Sequence, residues 1–168
     1  MTSLLRSLIA LAFASVLGAQ DTVVVLVRHG EKVSEAADAE LSEAGRRRAE
    51  RLVALFVPLK PEALFASDRA RTQQTLAPLA KATGLTVQVR KAADAAGLAG
   101  HLLGAWKGRT VVVCGHSNTV GPIAKALGHA SGIAEPEGFD RYWVVRISPE
   151  GRTRLEERPQ EGPPPAAR

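Results

Sequence analysis

The chain has 168 residues, 45% of them hydrophobic and 23% charged, with a formal net charge of +5. That is enough for one domain with a single sizeable core, and the composition excludes a fibrous or wholly disordered protein. The positive charge does not describe a nucleic-acid binder, because the arginines are scattered and no aromatic residues alternate with them for base stacking. The one run, Arg46-Arg47-Arg48, reads as a solvated helix face, and the excess charge as an attraction for small anions.

The first twenty residues, MTSLLRSLIALAFASVLGAQ, form a separate object. Arg6 supplies a positive start, Leu8 to Leu17 an apolar run, and Gly18-Ala19 small residues at a cleavage point. A helix over that run rises only about 15 Å, half of a bilayer core, so no stable membrane span is expected. The order predicts a signal peptide over 1–19, cut near Ala19, and a periplasmic or secreted mature protein. The single cysteine, Cys114, has no partner for an intrachain disulfide and sits in an apolar run, so it reads as a small buried hydrophobe.

Thr22 to Val27 is the first expected strand, apolar and β-branched as a strand buried on both faces should be. Ser42 is a good N-cap, and Ala49, Leu52, Val53 and Phe56 follow at helical spacing before Pro58. Ala63 to Ala66 is a second strand. A helix capped by Ser67 or Asp68 then reaches about Ala82, with Gly84 beyond it and a kink at Pro78. Thr86 to Val89 is a third strand, and Leu98, Leu102 and Trp106 mark a helix ending at Gly108.

Thr110 to Val113 is a fourth strand, followed by a helix from about Asn118 to Leu127 with Pro122 near its first turn. Arg141 to Ile147 reads as a strand near the sheet's edge, with Arg152 to Glu156 as its hairpin partner. The tail from Arg158 has no periodicity and is expected to be disordered, which leaves a domain over 20–157. The alternation of strands and helices predicts an α/β fold, a doubly wound, mostly parallel sheet with helices on both faces.

In such a sheet, ligands bind outside the carboxyl ends of the strands. Three polar clusters are expected there: Arg28-His29-Gly30-Glu31 after the first strand, Ser67 to Arg71 after the second, and Gly115-His116-Ser117-Asn118 after the fourth. The last opens a helix, whose N–H groups suit an anion. Two arginines and two histidines converging on one crevice describe a phosphate pocket, since arginine forks match phosphate oxygens in pairs.

The stretches RHGEK, SDRARTQQT and VVVCGHSNT, with LSEAGRRRAERL between the first two, resemble the histidine phosphatase superfamily, also called phosphoglycerate mutase-like. The resemblance covers nearly the whole chain after residue 20. It implies His29 as the nucleophile that becomes phosphorylated, with Arg28, Arg71 and His116 binding the phosphoryl group. It also implies that Asn118 and neighbouring Ser117 touch substrate and that Glu31 orients the pocket. The compact size looks like the bacterial phosphohistidine phosphatases of that superfamily. The expected ligand is a small phosphorylated substrate or inorganic phosphate. No metal or other cofactor is needed, because the cations themselves can stabilise the transferring phosphoryl group.

The superfamily often draws its general acid from the segment after the third strand, where Asp94 is the only carboxylate. Asp94 is also a good N-cap for the next helix. Glu135, Glu137 and Asp140 are the other candidates, from a loop that could fold over the crevice. A phosphoramidate substrate would need little help from any of them. Two further readings compete. GHSNT starts like a serine nucleophile elbow at Ser117, although Thr119 replaces its final glycine. The same fold could also serve an exported, non-catalytic protein that binds phosphoryl ligands.

Overall fold

The computed structural model describes residues 20–161. The expected export segment and residues 162–168 lie outside them. The strands are β1 (Thr22–Arg28), β2 (Ala63–Ser67), β3 (Val87–Arg90), β4 (Thr110–Gly115), β5 (Arg141–Ile147) and β6 (Thr153–Pro159). The helices are α1 (Glu43–Phe56), α2 (Ala70–Thr83), α3 (Ala95–Ala105) and α4 (Ser117–Ala126). Pro58 lies in a 3₁₀ turn, Val57–Leu59, that ends α1.

The six strands form one sheet in the order β3-β2-β4-β1-β5-β6. The first four run parallel, β5 runs antiparallel to them, and β6, antiparallel to β5, returns to their direction. Successive side chains of a strand point to opposite faces, so β1 needs apolar residues at every position when both faces are covered. Val23, Val25 and Val27 pack under α1 and α2 with Leu52, Phe56, Leu76 and Leu79. Val24 and Leu26 pack on the other face with Leu98 and Leu102 of α3 and Ile123 of α4. Each such buried side chain stabilises the fold by about 1.5–3 kcal/mol.

The strand order positions the site. The chain passes from β1 to β2 two places away, and β4 later fills the place between them. The carboxyl ends of β2, β4 and β1 therefore become neighbours, with Arg28 level with Gly115 and Ala66 level with Cys114. Glycine lets the loop after β1 press against α1: a Cβ on Gly30 would sit 2.9 Å from the Gly45 Cα, and one on Gly45 would run into the Glu31 carbonyl.

Three expectations change. Neither Ser67 nor Asp68 caps α2. Its N-cap is Arg69, the Asp68 carboxylate accepts from the Ala92 N–H, and Asp38 from a distant loop accepts from the Ala70 N–H at 2.8 Å. Pro122 lies in the second turn of α4, so it has no N–H to give to the Asn118 carbonyl. Strand β5 does lie next to the sheet's edge with β6 as its hairpin partner, and Tyr142 and Val144 on one face and Trp143 and Val145 on the other are all buried. Arg158 and Pro159 continue edge strand β6, where proline is tolerated. Gln160 is buried, taking one bond from Arg48 and giving one to the Arg141 carbonyl. The expected domain boundary at 157 thus falls inside the last strand.

Candidate active site

The three clusters meet in a crevice of about 440 Å³ at the carboxyl ends of β1, β4 and β2. His29, Arg71, His116, Ser117 and Asn118 all line it, together with Lys32, Arg69, Glu135 and the small Ala92 and Ala93. Positive side chains outnumber the single carboxylate on its walls. Such a field draws anions.

His29 follows β1 directly, and its N–H donates to the Gly115 carbonyl at 2.9 Å, continuing the parallel ladder. Its Nδ1 stands 2.7 Å from the Gly30 carbonyl. A carbonyl can only accept, so Nδ1 carries the proton and the lone pair is left on Nε2. The ring is 4% exposed, and burial pushes its pKa down to about 4, helped by Arg71, Arg28 and Lys32 and opposed by the Gly30 carbonyl. At neutral pH His29 is therefore an uncharged imidazole with a defined tautomer. That is the form of a nucleophile.

His116 lies edge-on to His29, with ring centroids 5.2 Å apart. The Arg71 Nη2, which can only donate, is 3.3 Å from His116 Nδ1, so Nε2 carries the proton and donates to Ser67 Oγ at 2.8 Å. Burial, followed by Arg71, His29 and Arg69, pushes the His116 pKa to about 4. Ser67 is bonded in turn to Thr72 at 2.8 Å, and Thr119 takes the His116 backbone N–H at 2.7 Å. Thr75 accepts the Gly30 N–H at 3.0 Å, which steadies the residue that holds the His29 tautomer.

Both arginines stand here with donors to spare. Arg71 gives Nη1 to the Ala37 carbonyl at 2.8 Å, and Arg28 gives Nη1 to the carbonyls of Pro136, Glu137 and Gly138 at 2.7–3.1 Å. The Nε groups of both are buried without a hydrogen-bond partner among the described residues. A buried unpaired donor is costly, and an oxyanion in the crevice would relieve the one on Arg71. Arg28 does not itself line the crevice; its guanidinium stacks on Phe139, with Cζ 4.2 Å from the ring centroid.

Glu31 is drawn away from the pocket. Arg48 grips its carboxylate through Nε and Nη2 at 2.6–3.1 Å, which holds the carboxyl below the usual carboxylate range. The arginine run on α1 is thus a solvated face only in part: Arg48 ties the loop after β1 to the helix. Asp94 caps α3, with Oδ1 accepting from the Gly97 N–H at 2.9 Å. Ala92 and Ala93, not Asp94, form the crevice wall after β3. Of the other carboxylates, Glu135 is the one that lines the crevice, and it accepts from Ser117 Oγ at 2.7 Å.

That bond leaves Ser117 without a base, since both nitrogens of His116 are engaged elsewhere. The serine elbow has no support here. Cys114 is buried in β4 with its thiol pKa pushed up by burial, and among the described residues no three His, Cys, Asp or Glu side chains group to hold a metal ion. Arg69 and Lys32 lay within the stretches the sequence marked but were given no role, and Phe139 was not singled out. Phe139 had one signal, as a lone aromatic in a loop of small and charged residues.

A parallel sheet with two neutral histidines and two arginines at its switch point defines an enzyme of phosphoryl transfer. The chain belongs to the histidine phosphatase superfamily (branch 1), whose model matches residues 24–115, and it is a phosphatase of that type. A search of curated proteins finds no match. Among solved structures, the chain is similar to the protein histidine phosphatase SixA complexed with tungstate (TM-score 0.68, 19% identity, 82% of this chain and 97% of that one). It is also similar to mycobacterial glucosyl-3-phosphoglycerate phosphatase Rv2419c (0.64, 18%, 82% and 98%). Phosphoglycerate mutase from Bacillus anthracis str. Sterne aligns as well (0.65, 14%, 83% and 93%). Identities this low show a shared fold.

Proposed function

We propose that this phosphatase hydrolyses a phosphomonoester or phosphoramidate in two steps, through a phosphohistidine on His29. The observation that carries the reading is the Nδ1–H bond to Gly30, which leaves a neutral Nε2 on a ring that lines the crevice with Arg71, whose buried Nε has no hydrogen-bond partner among the described residues. Attack of Nε2 on phosphorus forms the N–P bond as the bond to the leaving group breaks, and water then reverses the exchange. Arg71, Arg69 and the N-terminus of α4, which line the crevice, meet the charge that gathers on the phosphoryl oxygens. Solved relatives carry tungstate, VO₃ or inorganic phosphate, which fits a pocket for such oxyanions. The chain has no long insertion after β2 to cover a doubly phosphorylated intermediate, which favours a phosphatase over a mutase.

The test is to incubate the protein with labelled esters, sugar phosphates and phosphoramidates and quench it rapidly. A protein-bound phosphoryl group stable to alkali and labile to acid is expected, and it should form in the presence of a metal chelator. Turnover without any such species would end the proposal. A non-catalytic phosphate binder would show binding and no turnover at all.

The reading extends to location. The charged start, apolar run and small residues of 1–19 support export, which places the substrate outside the cytoplasm and favours an envelope sugar phosphate over a cytoplasmic phosphoprotein. Among the described residues no helix is long and apolar enough to cross a membrane. Sequencing the N-terminus of protein from its native host should find a start near Gln20. An intact Met1 would remove both the export and the argument against a cytoplasmic partner.

A further inference from the structure

We propose that Glu135 is the acid–base residue of this phosphatase, held at the crevice by Ser117 and by a loop that Arg28 fastens beside the nucleophile; the proposal rests on the His29 mechanism above. The hydroxyl of Ser117, first residue of α4, donates to Glu135 Oε1 at 2.7 Å. The next three carbonyls of the loop all accept from one nitrogen of Arg28, and the Phe139 ring contacts both the Arg28 guanidinium, at 4.2 Å, and the His29 ring, at 5.9 Å. Every residue from Glu135 to Phe139 is thus bound to Ser117, Arg28 or His29. The residue that precedes the nucleophile in the chain sets the loop that carries the carboxylate.

Chemistry requires such a group. An alcohol leaves as a poor anion unless its oxygen receives a proton while the P–O bond breaks. The wall after β3 offers Ala92 and Ala93, and Asp94 is engaged by the Gly97 N–H. Glu135 lines the crevice with His29. In the first step Nε2 bonds to phosphorus, the P–O bond breaks, and the leaving oxygen takes the carboxyl proton of Glu135. In the second, water bonds to phosphorus, the P–N bond breaks, and the water's proton returns to the Glu135 carboxylate. The cycle closes with no other reagent. Its consequence is a substrate class: phosphomonoesters of ordinary alcohols, such as sugar phosphates, and not only phosphoramidates or activated esters.

Single-turnover phosphorylation of His29, followed by rapid quench, tests this with 4-nitrophenyl phosphate and glycerol phosphate. Glu135→Gln should slow the glycerol ester by about 10²–10⁴-fold and leave the aryl ester within about one order of magnitude, because only the first needs the proton. Ser117→Ala should shift the same ratio in the same direction by less, and Ser117→Thr should restore it. A residue that merely supports the fold would slow both substrates alike. Equal losses in Glu135→Gln, or a selective loss in Asp94→Asn that Glu135→Gln lacks, would overturn the assignment. Absence of phosphohistidine in the unaltered protein with every substrate is a different result, and it removes the His29 mechanism itself.

Discussion

His29→Ala should lose turnover and protein-bound phosphate together, by on the order of 10⁵–10⁶-fold, the scale of removing a covalent nucleophile. That is about 7–8 kcal/mol of barrier. No neighbour can take over, because His116 gives Nε2–H to Ser67 and accepts from Arg71 on Nδ1. The variant should still fold. His29 lies beyond β1, and the strand keeps its ladders to β4 and β5 and its valines in both cores. What the alanine gives up is the bond from Nδ1 to Gly30 and the ring contacts with His116 and Phe139. The control is Ser117→Ala on an activated aryl phosphate, where the effect should be small. A dead serine variant beside an active histidine variant would replace the phosphohistidine mechanism with an esterase at Ser117. Circular dichroism and thermal melts of both proteins keep a folding defect from imitating either outcome.

The second large effect is at Arg71. Arg71→Ala should lower kcat/KM by about 10³-fold, roughly 4 kcal/mol, since removing one preorganised donor to a developing anion costs 10²–10³-fold and here a full charge goes with it. The same change should weaken binding of inorganic phosphate or vanadate. Arg71 bridges the Ala37 carbonyl and His116 while its buried Nε has no hydrogen-bond partner among the described residues. Lysine cannot reproduce that fork, so Arg71→Lys should recover little of the loss. Unchanged kcat/KM and anion affinity in Arg71→Ala would mean that the phosphoryl group binds elsewhere. Arg71 is the cleaner probe of the two arginines, because Arg28 also fastens the loop from Pro136 to Gly138.

Local chemistry was legible in the sequence. The apolar run of β1 could only be a strand covered on both faces, and Ser42 starts α1 by accepting from the Gly45 N–H three residues on. The three polar clusters each follow a strand, so their shared sheet edge followed from the α/β alternation alone. Interactions between residues three or four apart, or between a strand and the loop it enters, are written in the chain's own order. Asp94 belongs here too: its bond to the Gly97 N–H is a local cap, and that cap was one of its two readings.

What the tertiary structure decided depends on which distant segments the sheet brings together. Placing β4 between β2 and β1 sets His116 against both Ser67 and Arg71, residues 49 and 45 positions away. Arg48 looked like a solvated charge because its partner, Glu31, lies 17 residues back across a glycine-tight approach. Ser67 looked like a cap for α2 until the sheet offered its hydroxyl to a histidine and left Asp38 to cap the helix from another loop. The carboxylates after β3 and before β5 are chemically alike in the sequence. Only the return of the 135–139 loop over β1, clamped by Arg28, puts Glu135 into the crevice. Long-range pairing costs chain entropy that no local signal records, so it is settled only where the whole core closes.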